Sequence, residues 1–225
     1  MAGFLASVKN IEEAKKIRML GIDIVDFKKV DDGPLGFVGT NIIKKVRNLL
    51  CDQVISVTMG NDSNPYNRNY IDNINVVIEN KIEYLKIGLF DSAEINKHEK
   101  LIEEINFLGT KPICVIFADH SFDLSIIQAI IDVGYKGIMI DTCHKNSKST
   151  LDLINKKDIK KFVEIVKRNN LICGLSGSLK LHHISELKNI DVDFLGFRGQ
   201  LCSEVNSRES ININKVTEVY KEIKS

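Results

Sequence analysis

The strongest constraint on the fold is an alternation, repeated along the whole chain, between short apolar runs and helical patterns. About eight runs rich in Ile, Val, Leu and Phe are each followed by a polar loop and an amphipathic stretch. Runs that are apolar throughout are typical of strands in buried parallel sheets. The 225 residues give a repeat of about 28 residues, close to that of an eight-fold barrel. The pattern predicts an α/β fold, a single (β/α)8 TIM barrel spanning residues 1–225 as one domain.

A doubly wound open sheet is the alternative fold. Such sheets usually have fewer strands and often carry a G-x-G-x-x-G turn after the first strand. The first apolar run ends in Val8-Lys9-Asn10, which lacks this turn, and no linker-like stretch divides the chain. The barrel is therefore the preferred prediction.

Local signals indicate where individual helices begin and end. Asn10 is a good N-cap, and Glu12 and Glu13 fall in the first turn, where the helix dipole favours acids. Gly21 and Gly134 predict helix ends. Further helices are expected over residues 40–50, 69–79, 95–107, 124–132, 157–169 and 214–223.

Composition argues against several classes of function. A net charge of +1 disfavours nucleic acid or an anionic membrane as the main partner. No apolar run approaches the roughly 18 residues that a membrane span needs, and the N-terminus has no basic segment typical of a signal peptide. The five cysteines are scattered without a C-x-x-C pair, which suits reduced thiols in the cytoplasm. Cys143-His144 has no second ligand pair at zinc-like spacing, so we expect no metal and no cofactor.

Polar residues stand where several apolar runs end. In a barrel the active site is built from the C-terminal ends of the strands and the loops that follow them. Asp26 and Lys28 are two residues apart and would point the same way from an extended strand. The polar residues expected at this mouth are Asp26, Lys28, Lys86, Asp119, Asp141, Lys145, Ser176, Gly177, Ser178, Arg198 and Gly199.

Lys86 and Lys28 carry the strongest chemical signal. Lys86 lies inside Tyr84-Leu85-Lys86-Ile87, where a buried cation is costly unless its pKa falls or a carboxylate pairs with it. Two lysines facing one cavity repel each other as cations, which favours a neutral amine that can attack an aldehyde and form a Schiff base. Asp26 or Asp141 would then hold or relay the proton. The alternative for Lys28 is an exposed lysine, ion-paired with Asp26 or Asp31.

Two glycine-containing loops follow the last two strands. Ser176-Gly177-Ser178 and Arg198-Gly199 stand where barrels usually bind phosphate through backbone N–H groups near a helix N-terminus. Either loop alone is equally well explained as an ordinary glycine turn. Together they predict a small phosphorylated substrate.

The segment Gly21-Ile22-Asp23-Ile24-Val25-Asp26-Phe27-Lys28, followed by Gly33-Pro34-Leu35-Gly36, resembles the signature of a known enzyme family. This is the (5-formylfuran-3-yl)methyl phosphate synthase family, also called 4-(hydroxymethyl)-2-furancarboxaldehyde-phosphate synthases. The resemblance continues through residues 84–89, Asp141-Thr142 with Lys145, Gly177-Ser178, and residues 196–199 with Cys202. It departs at residues 200–206, where the family loop is richer in glycine and basic residues.

This resemblance implies a TIM-barrel lyase that condenses two molecules of glyceraldehyde 3-phosphate into a furan aldehyde phosphate, with loss of phosphate and water. The pathway implied is the biosynthesis of methanofuran, a carrier of one-carbon metabolism. By the same resemblance Lys28 forms the Schiff base, Lys86 accepts a proton, and Asp26, Asp141 and Lys145 support them. Barrel enzymes of this size often assemble, so a homo-oligomer stays open.

Two other interpretations stay open. Asp26-Phe27-Lys28-Lys29-Val30-Asp31 also resembles the D-x-K-x-x-D motif of the orotidine-monophosphate decarboxylase and hexulose-phosphate synthase group, which are phosphate-binding barrels of similar length. That motif assigns no role to a lysine within the fourth strand, so Lys86 favours the furan synthase. A non-catalytic phosphosugar-binding protein would need the glycine loops but neither lysine.

Overall fold

The computed structural model describes residues 1–120, 122–144, 148–204 and 208–225. Within these residues eight parallel strands follow one another around a closed barrel, and the last strand pairs with the first. The fold expected from the apolar alternation is confirmed: the chain forms a single (β/α)8 barrel. The strands are β1 (Gly3–Val8), β2 (Ile24–Phe27), β3 (Val54–Thr58), β4 (Tyr84–Gly88), β5 (Lys111–Phe117), β6 (Gly137–Asp141), β7 (Ile172–Leu175) and β8 (Phe194–Phe197).

The described part of the chain contains nine α-helices, which lie between the strands and after the last one. Asn10 caps the first of them as expected, because its side chain accepts a hydrogen bond from the Glu13 N–H. Gly134 ends another in the left-handed region. The helices are α1 (Ile11–Ile17), α2 (Thr40–Leu49), α3 (Arg68–Glu79), α4 (Glu99–Phe107), α5 (Ile126–Val133), α6 (Thr150–Leu153), α7 (Lys156–Arg168), α8 (Leu181–Leu187) and α9 (Ile213–Lys224).

Three details differ from the sequence prediction. Helix α1 ends at Ile17, before the turn that precedes Gly21. The helix expected over residues 95–107 is divided into a 3₁₀ segment, Ser92–His98, and α4. Asp91 caps the 3₁₀ segment through the N–H of Ala93, so the turn begins earlier than the apolar pattern indicated. The short helix α6 was not predicted, because four residues are too few to show a helical period.

The barrel has an apolar core on each side of the sheet. The larger core lies between the strands and the surrounding helices, and a smaller cluster fills the inside of the barrel. Leu35, from the loop after β2, belongs to the inner cluster, and a Cβ at Gly88 would collide with it. The Gly33-Pro34-Leu35-Gly36 motif therefore serves to turn an apolar side chain into the barrel. The inner residues are Leu5, Ile24, Leu35, Ile113, Val115, Phe117 and Met139.

No helix among the residues that the model describes combines the length and the apolar character required to cross a membrane.

Candidate active site

Asp26 is the centre of a buried polar network on one side of the barrel. The strand register places it level with Ser7 of β1 and Ser56 of β3. The Ser7 hydroxyl donates to Oδ2 at 2.8 Å and the Ser56 hydroxyl donates to Oδ1 at 2.5 Å. The Nζ of Lys86 lies 2.6 Å from the same Oδ1. Because Asp26 is completely buried, these three partners are what make its charge tolerable inside the barrel.

Lys28 lies just past β2 and belongs to a second buried pair. Its side chain is 4% exposed, and its Nζ lies 3.6 Å from Oδ2 of Asp141 at the end of β6. The other oxygen of Asp141 accepts the Thr142 N–H at 2.7 Å. Asp31, one of the partners considered for a surface ion pair, is exposed. Lys28 is therefore a buried residue of the barrel mouth, and it pairs with a carboxylate from a distant strand.

Both lysines line one cavity of about 220 Å³. The cavity brings together most of the residues that the sequence predicted for the site, from β2, β4, β6, β7 and β8. Asp26 does not line it but contacts Lys86, which does. Lys145 lies outside the described residues. The polar and glycine residues of the lining are Ser7, Lys28, Lys86, Asp141, Ser176, Gly177, Ser178, Lys180, Gly196, Arg198, Gly199, Gln200 and Arg208.

The loops after β7 and β8 line this cavity through Ser176, Gly177, Ser178 and Gly199. Gly177 and Ser178 both have positive φ, at 90° and 51°. Thr150 holds their turn: its N–H donates to the Gly177 carbonyl at 3.0 Å and its hydroxyl to the Ser176 carbonyl at 2.6 Å. A Cβ at Gly177 would collide with that hydroxyl, so glycine is required there. Within the described part of the chain, the N–H groups of Gly177, Ser178 and Gly199 make no hydrogen bond.

Arg198 forms the third buried ion pair, with Glu13 of α1. Its two terminal nitrogens lie 2.6 and 3.2 Å from the two carboxylate oxygens, a bidentate pairing. The remaining N–H groups donate to the carbonyls of Ser7 and Arg208. All five donors of this guanidinium therefore have acceptors in the protein. The sequence analysis interpreted Glu13 only as an acid in the first turn of a helix. It did not predict the ion pair, because the two residues are 185 positions apart in the sequence.

Arg208 is a site residue that the sequence analysis missed. It lines the cavity, and its backbone has a φ of 52°. Among the described residues no hydrogen bond or ion pair engages its guanidinium, in contrast to that of Arg198. Burial lowers the pKa of this guanidinium, and the nearby Asp141 opposes the change. Its only signal in the sequence was that a basic loop is typical at this point of the family.

Asp119, expected at the mouth, lies beside the cavity lining rather than within it. Its carboxylate accepts the backbone N–H groups of Cys143 and His144, at 2.7 and 2.6 Å. Burial acts to raise the pKa of Asp119, but the hydrogen bonds from His144 and Cys143 lower it overall. Asp119 thus connects the end of β5 to the loop that follows β6.

A closed (β/α)8 barrel with paired lysines, carboxylates and backbone donors at its C-terminal mouth defines a class of protein, the barrel enzymes. The particular family follows from comparison with known sequences. The model of the 4-HFC-P synthase family matches residues 4–220, and the chain belongs to this family.

Curated relatives agree with this assignment, and solved structures agree with the fold. The (5-formylfuran-3-yl)methyl phosphate synthase of Methanococcus aeolicus is 31% identical over 212 residues, covering 88% of this chain and 89% of the relative. The enzyme of the same name from Methanocaldococcus jannaschii is 29% identical over 214 residues, with the same coverage. The 3-hexulose-6-phosphate synthase from Salmonella typhimurium superposes with a TM-score of 0.67 at 10% identity, covering 98% of this chain and 99% of that one. At that identity the likeness shows the fold alone.

Proposed function

We propose that the chain is a (5-formylfuran-3-yl)methyl phosphate synthase, a cytoplasmic carbon–oxygen lyase that condenses two molecules of glyceraldehyde 3-phosphate for the biosynthesis of a methanofuran-type carrier. The observation that carries the proposal is the pairing of Lys28 and Lys86 with separate carboxylates while both line one cavity. Membership of the 4-HFC-P synthase family supports it.

Lys28 is the nucleophile in this proposal. Its Nζ, as a neutral amine, attacks the aldehyde carbon C1 of one substrate molecule, and loss of water leaves a protonated imine. Asp141, whose Oδ2 lies 3.6 Å from Nζ, is placed to stabilise the positive charge of that imine. The buried position of Lys28 keeps the reacting atom away from bulk water.

Lys86 is the proton acceptor in this proposal. The imine makes the proton on C2 acidic, and transfer of that proton to a neutral Lys86 creates an ammonium that Asp26 stabilises at 2.6 Å. The electron pair left on C2 gives an enamine, which expels the phosphate from C3 as inorganic phosphate. Condensation with the second molecule and ring closure then complete the furan. The balance requires that two substrate molecules lose one phosphate and two waters in all.

The retained phosphate is proposed to bind at the loops after β7 and β8. The N–H groups of Gly177, Ser178 and Gly199 are the donors, and Ser176 lies beside them in the lining. Arg198 contributes by holding the Arg208 carbonyl, since its own donors are engaged by the protein. We assign the direct charge contact to Arg208. A supporting role for Lys145 stays a prediction from the family resemblance.

Incubation of the protein with glyceraldehyde 3-phosphate alone tests the reaction. We expect a product with furan-aldehyde absorbance and release of one inorganic phosphate per product. Borohydride added during turnover should leave a covalent adduct on Lys28, located by mass spectrometry. Lys29→Ala is the matched control, because Lys29 is the exposed neighbour and its side chain pairs with Asp32. Absence of the adduct, together with undiminished turnover by Lys28→Ala, would refute the mechanism.

The rival barrel group is favoured by the D-x-K-x-x-D match at Asp26, Lys28 and Asp31 and by fold likeness. The last acid of its motif, Asp31, is exposed, whereas Lys28 contacts Asp141 instead. Formaldehyde release from a hexulose 6-phosphate, without furan formation from glyceraldehyde 3-phosphate, would support that group. Calorimetric binding of glyceraldehyde 3-phosphate with no product after long incubation would indicate a non-catalytic phosphosugar-binding protein.

A further inference from the structure

Three metal-ligating side chains meet beside the barrel mouth, outside the lining of the lysine cavity. His120 follows β5, and Cys143 and His144 follow β6. One donor atom from each of the three lies within 4.8 Å of the other two. The sequence gave Cys143 and His144 no partner, because His120 precedes them by more than twenty residues and is brought near by the neighbouring strand.

The donor set and its spacing suit a borderline transition metal. In a tetrahedral zinc site the Zn–N and Zn–S bond lengths put neighbouring donor atoms roughly 3.3–3.7 Å apart. The observed spacing is therefore wider by about 1.1–1.5 Å at most, a difference that side-chain rotation covers. A thiolate with two imidazoles suits zinc, whereas calcium and magnesium require oxygen ligands.

Asp119 supplies the outer hydrogen bonds that such a site needs. Its Oδ2 lies 3.1 Å from Nδ1 of His144, and the same carboxylate accepts the backbone N–H groups of both His144 and Cys143. A carboxylate on Nδ1 fixes the tautomer of a histidine and leaves Nε2 for a metal, as in carboxylate–histidine–zinc sites. The Asp119 side chain is 8% exposed, so the fold holds this acceptor in place.

We propose that His120, Cys143 and His144 bind a divalent transition metal of the zinc type, with Asp119 as the outer-shell acceptor and a fourth position open to water. The bound ion would join the ends of β5 and β6 two residues beyond Asp141. The site is independent of the proposed synthase reaction, in which none of the three ligands takes part.

A second cluster, His182, His183 and Glu186, is the competitor for a metal. All three stand on the short helix α8, and Nδ1 of His183 already accepts the Lys180 N–H at 3.1 Å. Neither histidine has a carboxylate on its ring nitrogen among the described contacts. The cluster after β5 and β6 is therefore the better candidate for a metal site. His182→Ala serves as the matched control.

The test is binding of Zn²⁺, and of Co²⁺ as a spectroscopic probe, to the full chain after treatment with a chelator. We expect one equivalent of Zn²⁺ in equilibrium dialysis, and tetrahedral Co²⁺ bands with a thiolate charge-transfer band. Cys143→Ser should abolish the charge-transfer band and, like His120→Ala, weaken Zn²⁺ binding at least tenfold. Asp119→Asn should weaken it about 10–100-fold. Circular dichroism establishes that each variant is folded. Cys143→Ser and His120→Ala change different ligands, so each tests the site separately.

Cys51→Ser and His182→Ala should bind as the parent does, since Cys51 is an exposed thiol outside both clusters. The proposal is overturned if the parent binds no Zn²⁺ at micromolar concentration, or if Cys143→Ser and His120→Ala bind as tightly as the parent. Loss of binding in His182→Ala would likewise overturn it by assigning the ion to α8.

Discussion

The barrel mouth contains two kinds of buried ion pair, one kind on the lysine side and the other on the arginine side. Lys28 and Lys86 each contact a carboxylate through a single Nζ and also line the cavity. Arg198 pairs with the Glu13 carboxylate through two nitrogens, and its remaining N–H groups donate to carbonyl oxygens. Each lysine thus brings a single nitrogen to its carboxylate, whereas all five N–H groups of the guanidinium are engaged by protein acceptors.

This difference distinguishes the lysine pairs, which can react, from the arginine pair, which stabilises the fold. A lysine can become neutral and react, whereas an arginine stays charged and offers a rigid fork that matches a carboxylate. A buried pair is costly to break because the remaining charge has no partner. We therefore expect substitutions on the lysine side to affect chemistry first, and those on the arginine side to affect stability first.

The sharpest test of the lysine side is Lys28→Ala. Loss of the nucleophile should lower kcat by at least about 10³-fold, because covalent catalysis has no substitute at this position. The melting temperature should change little, since Asp141 retains the Thr142 N–H and borders the cavity. Product formation under single-turnover conditions measures the first effect and circular dichroism the second. Lys29→Ala should match the parent in both, and a variant that loses its fold instead would contradict the distinction between the two sides.

On the arginine side, Arg198→Met should destabilise the fold by about 3–5 kcal/mol, because it leaves the Glu13 carboxylate buried without its main partner. Urea denaturation followed by circular dichroism is suitable, since the chain has no tryptophan. Combining Arg198→Met with Glu13→Gln should recover part of the loss, as contacting residues are not additive. Single variants within about 0.5 kcal/mol of the parent would remove the case for an architectural pair.

The sequence predicted the barrel well because its strands are buried on both sides, which makes the apolar runs continuous. The lysine side was also visible: Lys86 stands inside an apolar run, and Asp26 and Lys28 share a strand end. The pairing itself was less visible. A surface ion pair was the alternative for Lys28, and only the closed barrel brings the end of β2 within reach of Asp141 at the end of β6.

The arginine side and the histidine cluster could not be read from the sequence. Glu13 and Arg198 come from the first and last repeats, and they meet only because β8 pairs with β1. Glu13 already had a local explanation in the first turn of α1. His120 likewise stands beside Cys143 only through the parallel pairing of β5 with β6. Contacts that depend on barrel closure or on neighbouring repeats leave no local pattern.

His98 lies outside both sides of the mouth; it is buried, and among the described residues it forms no ion pair. It contacts the Tyr135 hydroxyl at 2.6 Å, and desolvation lowers its pKa to about 4, with Glu94 opposing the shift. The unfolded chain therefore takes up this proton first as the pH falls. The stability that depends on neutral His98 is fully present above about pH 6.5 and is lost towards pH 4, by at most about 3 kcal/mol. Urea unfolding at pH 7.5 and 4.5 should show a smaller loss for His98→Gln than for the parent, and equal losses would contradict the assignment.

Arg208→Ala is the variant with the smallest expected effect. It tests whether Arg208 and Arg198, the two arginines at the mouth, have different roles. Arg198 is engaged by the protein, whereas no described group engages the Arg208 guanidinium in the cavity lining. We therefore expect Arg208→Ala to leave unfolding in urea nearly unchanged and to raise KM about tenfold, the loss of one charged contact to a phosphate. Arg208→Lys should restore part of the affinity, because it keeps the charge without the fork. Arg168→Ala, which removes an exposed arginine outside the lining, should not change KM. If Arg208→Ala instead lowered stability as much as Arg198→Met, both arginines would be architectural, and the phosphate would depend on backbone donors alone.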